Sequence, residues 1–310
     1  MRRIIFVPQY PTPMRYQEWW ISEFQKKFRE VATVVTLGET YFKKMKNKAA
    51  TASMFAPISE AIEFETEQIR EYMNMDIFSD DILFLADISF PGLFCSALYH
   101  KLVPKMFAFC HATSVNKYDY FAGVQCIKFP VETSHSRFFK KIFVGSKYHQ
   151  KKLWDNTVVT RLPIPPLEIY IGMRKQFDIV SASRPSIQKV DSGLEQEVEF
   201  EFSKIIRKET KEWHNYYEFL AESKVLLITA QEETFGYQIV DAVLNGCIPI
   251  APKRCSYPEL LPKEYLYTSK RDLFRKLRKA LNGELEVPEI LCWQDMKDFY
   301  RNIIQIMKES

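Results

Sequence analysis

Ala230-Gln-Glu-Glu-Thr-Phe-Gly-Tyr-Gln-Ile-Val-Asp-Ala-Val-Leu-Asn-Gly-Cys-Ile-Pro-Ile-Ala-Pro252 is the most informative stretch of the chain. It reads as a strand, a glycine-containing turn, a helix, a second glycine and another strand, the unit that builds a parallel sheet. At Phe235-Gly236 the turn lets backbone N–H groups at the start of the helix approach a diphosphate, and the helix dipole favours that negative charge. Glu233, just ahead of the helix, is placed to accept sugar hydroxyls. Asp241, about two helical turns further on, is placed to hold ribose hydroxyls. Without a ligand, the same residues read as a helix-capping Glu233 and a solvated Asp241.

Outward from this stretch, short apolar runs alternate with longer segments of helical period, as in parallel sheets covered by helices. Toward the N-terminus, strands are predicted at 4–7, 31–37, 82–86, 105–110 and 141–144, and helices at 15–30, 58–73 and 93–100. A basic helix follows Gly145-Ser146 through Leu153. Trp19, Trp20, Phe24 and Phe28 fall near one face of the helix over 15–30. The segment Arg161-Leu-Pro-Ile-Pro-Pro-Leu167 breaks both helix and sheet and is expected to link two domains. Beyond it, strands are predicted at 177–181, 224–229 and 248–252, helices at 195–208, 213–221 and 234–245, and an amphipathic helix at 293–306. No internal repeat of solenoid or propeller length is present.

The 310 residues suffice for two α/β domains, each with its own core. With 46% hydrophobic and 26% charged residues and no low-complexity tract, the composition excludes a disordered chain. The apolar run before Pro8 is too short for a signal-peptide core or a membrane span, so a cytoplasmic protein without a span is expected, in host cytoplasm if phage-encoded. Six scattered cysteines lack metal-ligand spacing and read as reduced thiols. The net charge of +4 is uneven: residues 1–170 hold 22 Lys/Arg against 17 Asp/Glu, the remainder 21 against 22. No acid occurs between Glu132 and Asp155, where Arg137, Lys140, Lys141, Lys147, Lys151 and Lys152 fall. Such a stretch suits either a polyanion or a solvated helix face.

Glu233 and Asp241, separated by seven residues around Phe235-Gly236, occur with Gly246-Cys-Ile-Pro-Ile-Ala251 and Tyr257-Pro-Glu-Leu-Leu261. Together these resemble the donor-site signature of glycosyltransferase family 4 and its retaining GT-B relatives, over about thirty residues. The resemblance implies an α/β fold of GT-B architecture, with two Rossmann-like domains facing each other across a cleft. Residues 1–165 would form the acceptor domain and 166–292 the nucleotide-sugar donor domain, with 293–310 a helix returning toward the N-terminal domain. It further implies that Arg184 and Lys189, in Val180-Ser-Ala-Ser-Arg-Pro-Ser-Ile-Gln-Lys-Val190, neutralise the departing diphosphate. Fixed cations do this without a metal, so no metal and no cofactor is expected beyond the donor, a UDP-sugar in the first instance. Thr234, Phe235, Gly236, Tyr237 and Gln238 complete the implied donor contacts with Arg184, Lys189, Glu233 and Asp241. Phe107-Ala-Phe-Cys-His111 resembles the strand whose following histidine faces the transferred sugar; the other reading is a histidine satisfying a backbone group at a strand end. Transfer with retention of configuration is implied as well.

The sequence departs from the family in three places. Asp241 stands where glutamate is usual, and the first strand leads into Pro8-Gln-Tyr-Pro-Thr-Pro-Met-Arg-Tyr-Gln-Glu-Trp-Trp20 where a glycine pair is usual. The stretch between Lys189 and Lys224 is also short, so at least one strand–helix unit of the family fold is expected to be reduced.

For the acceptor, the signals are the basic N-terminal half and the loop Ser114-Val-Asn-Lys-Tyr-Asp-Tyr-Phe121. Lys117, Tyr118 and Tyr120, with Arg15 of the first loop, suit a strand whose phosphates need charge and whose bases need stacking surface. A hydroxymethylated pyrimidine in DNA, as glycosylated by some bacteriophage enzymes, fits this reading and would have to be flipped from the duplex. The alternatives are a saccharide, lipid-linked or small-molecule acceptor, with the tyrosines as packing residues. Two further readings stand beside these: a nucleotide-sugar epimerase, which needs no acceptor, and a non-catalytic donor-binding subunit.

Overall fold

A computed structural model describes residues 3–12, 16–41, 58–163, 169–170, 172–183, 186, 188–202, 205–207, 210, 212–292 and 296–310. The chain divides into two compact units. The first comprises Met1–Gly145, His149–Pro165 and Asp295–Ser310, the second Ser146–Tyr148 and Pro166–Gln294. Of the proline-rich segment expected to act as a linker, 164–167 lie outside the described residues.

In the first unit, β1 (Arg3–Val7), β2 (Thr33–Thr36), β3 (Asp81–Leu85), β4 (Lys105–Phe109), β5 (Lys141–Val144) and β6 (Thr157–Val159) form one sheet in the order β2-β1-β3-β4-β5-β6. Every pairing is parallel. Alternate residues of a strand point to opposite faces, and the apolar runs supply both. Ile5, Val7, Leu83, Leu85, Ala108, Ile142 and Val144 join Tyr72 of the helix Ile58–Asn74 and Phe94 of the single turn Phe94–Ala97. The opposite face is aromatic. Phe6, Phe84 and Phe109 meet Trp20 and Phe24 of α1 (Gln17–Arg29), with ring centroids 5.7 Å apart for Phe6–Phe24, 5.1 Å for Phe24–Phe84 and 4.9 Å for Trp20–Phe109. The C-terminal helix Met296–Glu309 closes this layer: Phe299 and Tyr300 are buried, and Tyr300 lies edge-on to Phe24 at 4.9 Å.

The helix predicted over 93–100 is only the turn Phe94–Ala97, and the basic helix stops at Gln150. The helix Gln125–Ser136 is absent from the sequence expectation because Pro130 lies inside it, a residue that ordinarily ends a helix.

The second unit has β7 (Phe177–Ser181), β8 (Ile206–Arg207), β9 (Ser223–Leu227), β10 (Ile248–Pro252) and β11 (Leu266–Tyr267), ordered β11-β10-β9-β7-β8, all parallel. Its core gathers Ile179, Val225, Leu227 and Ile250 from the sheet with Val198 of the helix Ser192–Phe202 and Leu273 and Leu277 of the helix Lys270–Leu281. The helix predicted over 195–208 ends at Phe202, and its last part is the two-residue edge strand β8. The helix expected from 234 begins at Tyr237.

Taken in chain order within each unit, both sheets run second-first-third-fourth-fifth, and the first unit's sheet adds a sixth strand at the end. In such sheets the connections leave in opposite directions from the first and third strands, and ligands gather outside their carboxyl ends. The two switch points are therefore β1/β3 and β7/β9.

Candidate active site

At the β7/β9 switch point, two loops are fastened to each other. The carbonyl of Gln188 accepts the N–H groups of Gln231 (2.8 Å) and Glu232 (3.2 Å), while Asp191 receives Gln231 Nε2 at 3.0 Å. Beneath them the buried Glu195 carboxylate accepts the hydroxyls of Ser181 at 3.0 Å and Thr229 at 3.1 Å, tying the two strand ends to one side chain. This lattice sets Lys189 against Glu233, with Nζ 2.7 Å from Oε2. The other oxygen of Glu233 accepts the N–H groups of Thr234 (2.9 Å) and Phe235 (3.2 Å). Burial alone would raise the Glu233 carboxyl; the Lys189 ammonium and those N–H groups outweigh it and hold the carboxyl below its ordinary value. Glu233 is thus both the capping residue of the turn and an ionised acceptor beside a cation.

Gly236 follows with φ +107°, and a Cβ there would meet Leu260 at 3.0 Å and Tyr257 at 3.2 Å. Glycine is what lets the turn close onto the helix Tyr237–Leu244. Ser256 anchors the turn from below, donating to the Phe235 carbonyl at 2.7 Å. Gln238 binds the loop after β7 through Ser183 Oγ (3.0 Å) and the Ala182 carbonyl (3.2 Å). Phe235 is buried with its ring 5.2 Å from that of Tyr237. Lys189, Glu233, Thr234, Phe235, Gly236, Tyr237 and Gln238 therefore belong to one locus, whereas Arg184 lies outside the described residues.

Asp241 differs from its reading as a solvated residue: it is 4% exposed. Tyr216 donates to its Oδ2 at 3.1 Å, and Oδ1 has no partner among the described residues. Burial, only partly offset by the tyrosine, raises the carboxyl to about 7. A carboxyl of this kind takes up a hydroxyl donor readily, because one oxygen is desolvated and unpaired.

In the first unit, His111 lies two residues beyond β4. Its ring stacks on Phe109 (5.1 Å) and contacts Trp20 (4.8 Å) and Tyr16 (4.7 Å). The ring nitrogen Nε2 is 3.1 Å from the Ala86 carbonyl, which fixes that nitrogen as the donor and leaves Nδ1 as the acceptor. Burial lowers the imidazole to about 3, so it is neutral at physiological pH. The backbone-satisfying role of Nε2 and an acceptor role for Nδ1 are compatible in one ring.

The loop beyond His111 is ordered by the buried Glu132, which accepts Ser114 Oγ at 2.7 Å. Lys117 Nζ lies 5.2 Å from the Tyr118 ring centroid; Tyr120, 45% exposed, packs on Phe90 at 5.7 Å. Arg15 lies outside the described residues. The sequence reading does not single out Gln9 and Asp87, although the signal was present: each is a polar residue two positions after an apolar strand. Gln9 Nε2 donates to Asp87 Oδ2 at 2.6 Å. Burial raises the Asp87 carboxyl to about 8. Among the described residues, no group of three or more His, Cys, Asp or Glu could hold a metal ion, and no helix is long and apolar enough to cross a membrane.

No protein-family model matches the chain. A tRNA-queuosine alpha-mannosyltransferase of Drosophila melanogaster is 35% identical over 104 residues, which are 33% of this chain and 28% of that protein. The match thus spans well under half of the relative. Among solved structures, a lipopolysaccharide outer core galactosyltransferase superposes with a TM-score of 0.56 at 15% identity, covering 98% of this chain and 95% of that one. An α,α-trehalose-phosphate synthase (UDP-forming) from Burkholderia vietnamiensis superposes with a TM-score of 0.61 at 10% identity, covering 100% of both chains. With two parallel sheets, each covered by helices and each ordered about a switch point, the chain has the GT-B fold of these glycosyltransferases.

Proposed function

We propose that this protein is a retaining, nucleotide-sugar-dependent glycosyltransferase whose acceptor is a hydroxyl of a modified nucleobase in nucleic acid. Residues 166–292 would hold the donor and 1–165 the acceptor. The observation that carries the reading is the Lys189–Glu233 pair at the β7/β9 switch point, followed at once by Gly236 and a helix N-terminus. A diphosphate needs a cation and a helix N-terminus, and a sugar needs an ionised hydroxyl acceptor; this locus offers both.

In the proposed reaction the bond from the anomeric carbon to the diphosphate oxygen breaks while a bond to the acceptor oxygen forms on the same face. The acceptor proton passes to the departing phosphate oxygen. Lys189, with Arg184 by resemblance, stabilises the charge that gathers on the diphosphate. Glu233 orients the sugar through its hydroxyls, Asp241 takes a ribose hydroxyl, and neutral His111 offers Nδ1 to the transferred sugar without competing for the phosphate proton.

Support for the donor comes from the UDP-forming synthase of like fold, and support for the acceptor from the mannosyltransferase that acts on a tRNA nucleoside. Together with the exposed Tyr120 and the adjacent Lys117, that relative favours tRNA over hydroxymethylated DNA.

The test incubates the protein with UDP-, GDP- and ADP-sugars and either queuosine-containing tRNA or duplex DNA with 5-hydroxymethylcytosine or 5-hydroxymethyluracil. Nucleosides are then weighed by mass spectrometry. A hexose or pentose increment on queuosine is the expected result. An increment on the pyrimidine would move the acceptor to DNA, donor hydrolysis with both nucleic acids unmodified would move it to saccharides or small molecules, and no turnover of any donor would end the transferase reading.

A further inference from the structure

Because the two sheets share a strand order, the loops after β1 and β3 occupy in the first unit the place that Lys189 and Glu233 occupy in the second. The residues at that place are Gln9 and Asp87, each two positions past its strand. In the parallel register Val7 pairs with Leu85, so the two side chains stand side by side. Asp87 Oδ2 receives Gln9 Nε2 at 2.6 Å and Oδ1 receives the Ser89 N–H at 3.2 Å. The backbone N–H of His111 lies near enough to the Asp87 carboxyl to offset part of the rise that burial causes, which brings the end of β4 to the same point.

We infer that Gln9 and Asp87 form an acceptor subsite at the β1/β3 switch point that receives two hydroxyls on adjacent carbons of the acceptor group. The inference rests on the glycosyltransferase reading and specifies the acceptor side of it.

Both side chains keep part of their surface open. Each carboxylate oxygen of Asp87 retains a lone pair beyond its one protein hydrogen bond, and the Gln9 amide oxygen has no partner among the described residues. Two acceptors held together by a hydrogen bond present matched sites for two O–H donors. A phosphate is disfavoured here, since Asp119 is close enough to raise the Asp87 carboxyl further and no ion pair reaches Asp87 among the described residues. Among the described residues, the thiols of Cys95 and Cys110, both pushed up by burial, also lie in electrostatic reach of Asp87. A desolvated carboxyl without a cation costs stability, and such arrangements concentrate where a ligand completes them.

The deciding experiment measures transfer from the UDP- and GDP-sugar panel to queuosine-containing tRNA by the parent protein, Asp87→Asn and Gln9→Ala. An unchanged far-ultraviolet circular dichroism spectrum serves as the control for intact folding, and unchanged UDP binding as the control for the donor site. In Asp87→Asn, acceptor KM is expected to rise at least about tenfold, the ordinary worth of a hydrogen bond to a charged group, with kcat changed less than about threefold. In the parent, acceptor KM falls as pH rises through about 8 and the carboxyl ionises; Asp87→Asn loses that fall. Gln9→Ala, which keeps the carboxyl, raises acceptor KM by a smaller factor. Unchanged KM and an unchanged pH trend in both variants, with the parent active, would overturn the inference alone. So would efficient transfer to a 5-hydroxymethylpyrimidine, which offers one hydroxyl. A parent that turns over no donor would instead overturn the glycosyltransferase reading beneath it.

Discussion

The two switch points are built on one topology and filled with opposite chemistry. At β7/β9 the loops carry a lysine, an ionised glutamate and a glycine at φ +107°, so that cation, anion and bare backbone meet. At β1/β3 the loops carry Gln9, Asp87 and, from the neighbouring strand, His111; the loop after β1 has no glycine through Trp20, and the carboxyl and the imidazole are both shifted by burial toward their neutral forms. A site with fixed charges at a helix N-terminus suits a diphosphate; one with paired hydrogen-bond acceptors and no cation suits hydroxyls. Strand order sets where a ligand would bind in each unit, while the residues of the loops after the strands would decide which ligand it is.

Removing the charge at β7/β9 breaks this contrast most severely. Lys189→Ala is expected to lower kcat/KM by about 10²–10³-fold, the scale for loss of one preorganised group that meets developing charge. Glu233→Ala should abolish transfer in the same assay, with the far-ultraviolet circular dichroism of both variants unchanged. Parental turnover in either would remove the donor site from this locus. Next in size is a change that touches neither site. Phe299→Ala in the C-terminal helix deletes a fully buried ring from the aromatic layer of Trp20, Phe24 and Phe109. It should destabilise the first unit by about 3–5 kcal/mol in a urea titration while UDP binding persists. An undiminished midpoint would mean that the helix does not close that core.

Much of this contrast was legible in the sequence. Strands 141–144, 177–181 and 248–252 and the helix over 213–221 match the structure at both ends, because apolar runs bounded by glycine, proline or charge leave little choice. The helix over 195–208 failed because propensity cannot see that Ile206–Arg207 pairs with β7, a long-range contact. The helix from 234 failed for a local reason: Glu233 takes the N–H groups of Thr234 and Phe235, and Gly236 turns left-handed, before the helix starts. The motif drew attention to Glu233 and Lys189, but the burial of Asp241 under Tyr216 and the meeting of Gln9 with Asp87 depend on partners 25 and 78 residues away.

Titration sharpens the comparison at intermediate scale. Burial raises Asp87 to about 8 and Asp241 to about 7, above the ordinary aspartate value. Over that window the unfolded chain has released protons that the native protein still holds, so stability falls as pH rises from about 4 to about 8. Each substitution to asparagine should remove its own share of the slope, on the order of 2 kcal/mol across the window. Thermal unfolding of the ligand-free protein at pH 5 and pH 8 reads it. Parallel pH trends in the parent and in Asp241→Asn would show that water solvates Oδ1 and that the carboxyl titrates normally.

The smallest expected effect bears on what the acceptor face recognises. Tyr120 is held edge-on to Phe90 at 5.7 Å and to Phe121 at 4.9 Å, yet 45% of its surface is open, which leaves the side chain anchored and accessible. A base stacked there would lose its flat partner in Tyr120→Leu while the apolar area remains, so affinity for queuosine-containing tRNA should fall only about threefold to tenfold. Lys117, exposed two residues before Asp119, would act on phosphates as a screened charge. Lys117→Ala should therefore weaken binding uniformly and reduce the slope of log affinity against log salt by about one. A saccharide acceptor, having neither a flat base nor a phosphate backbone, predicts an unchanged salt slope in Lys117→Ala. The pair of measurements thus separates a surface that reads nucleic acid from one whose tyrosines only fill space, even if both substitutions leave the rate of sugar transfer nearly intact.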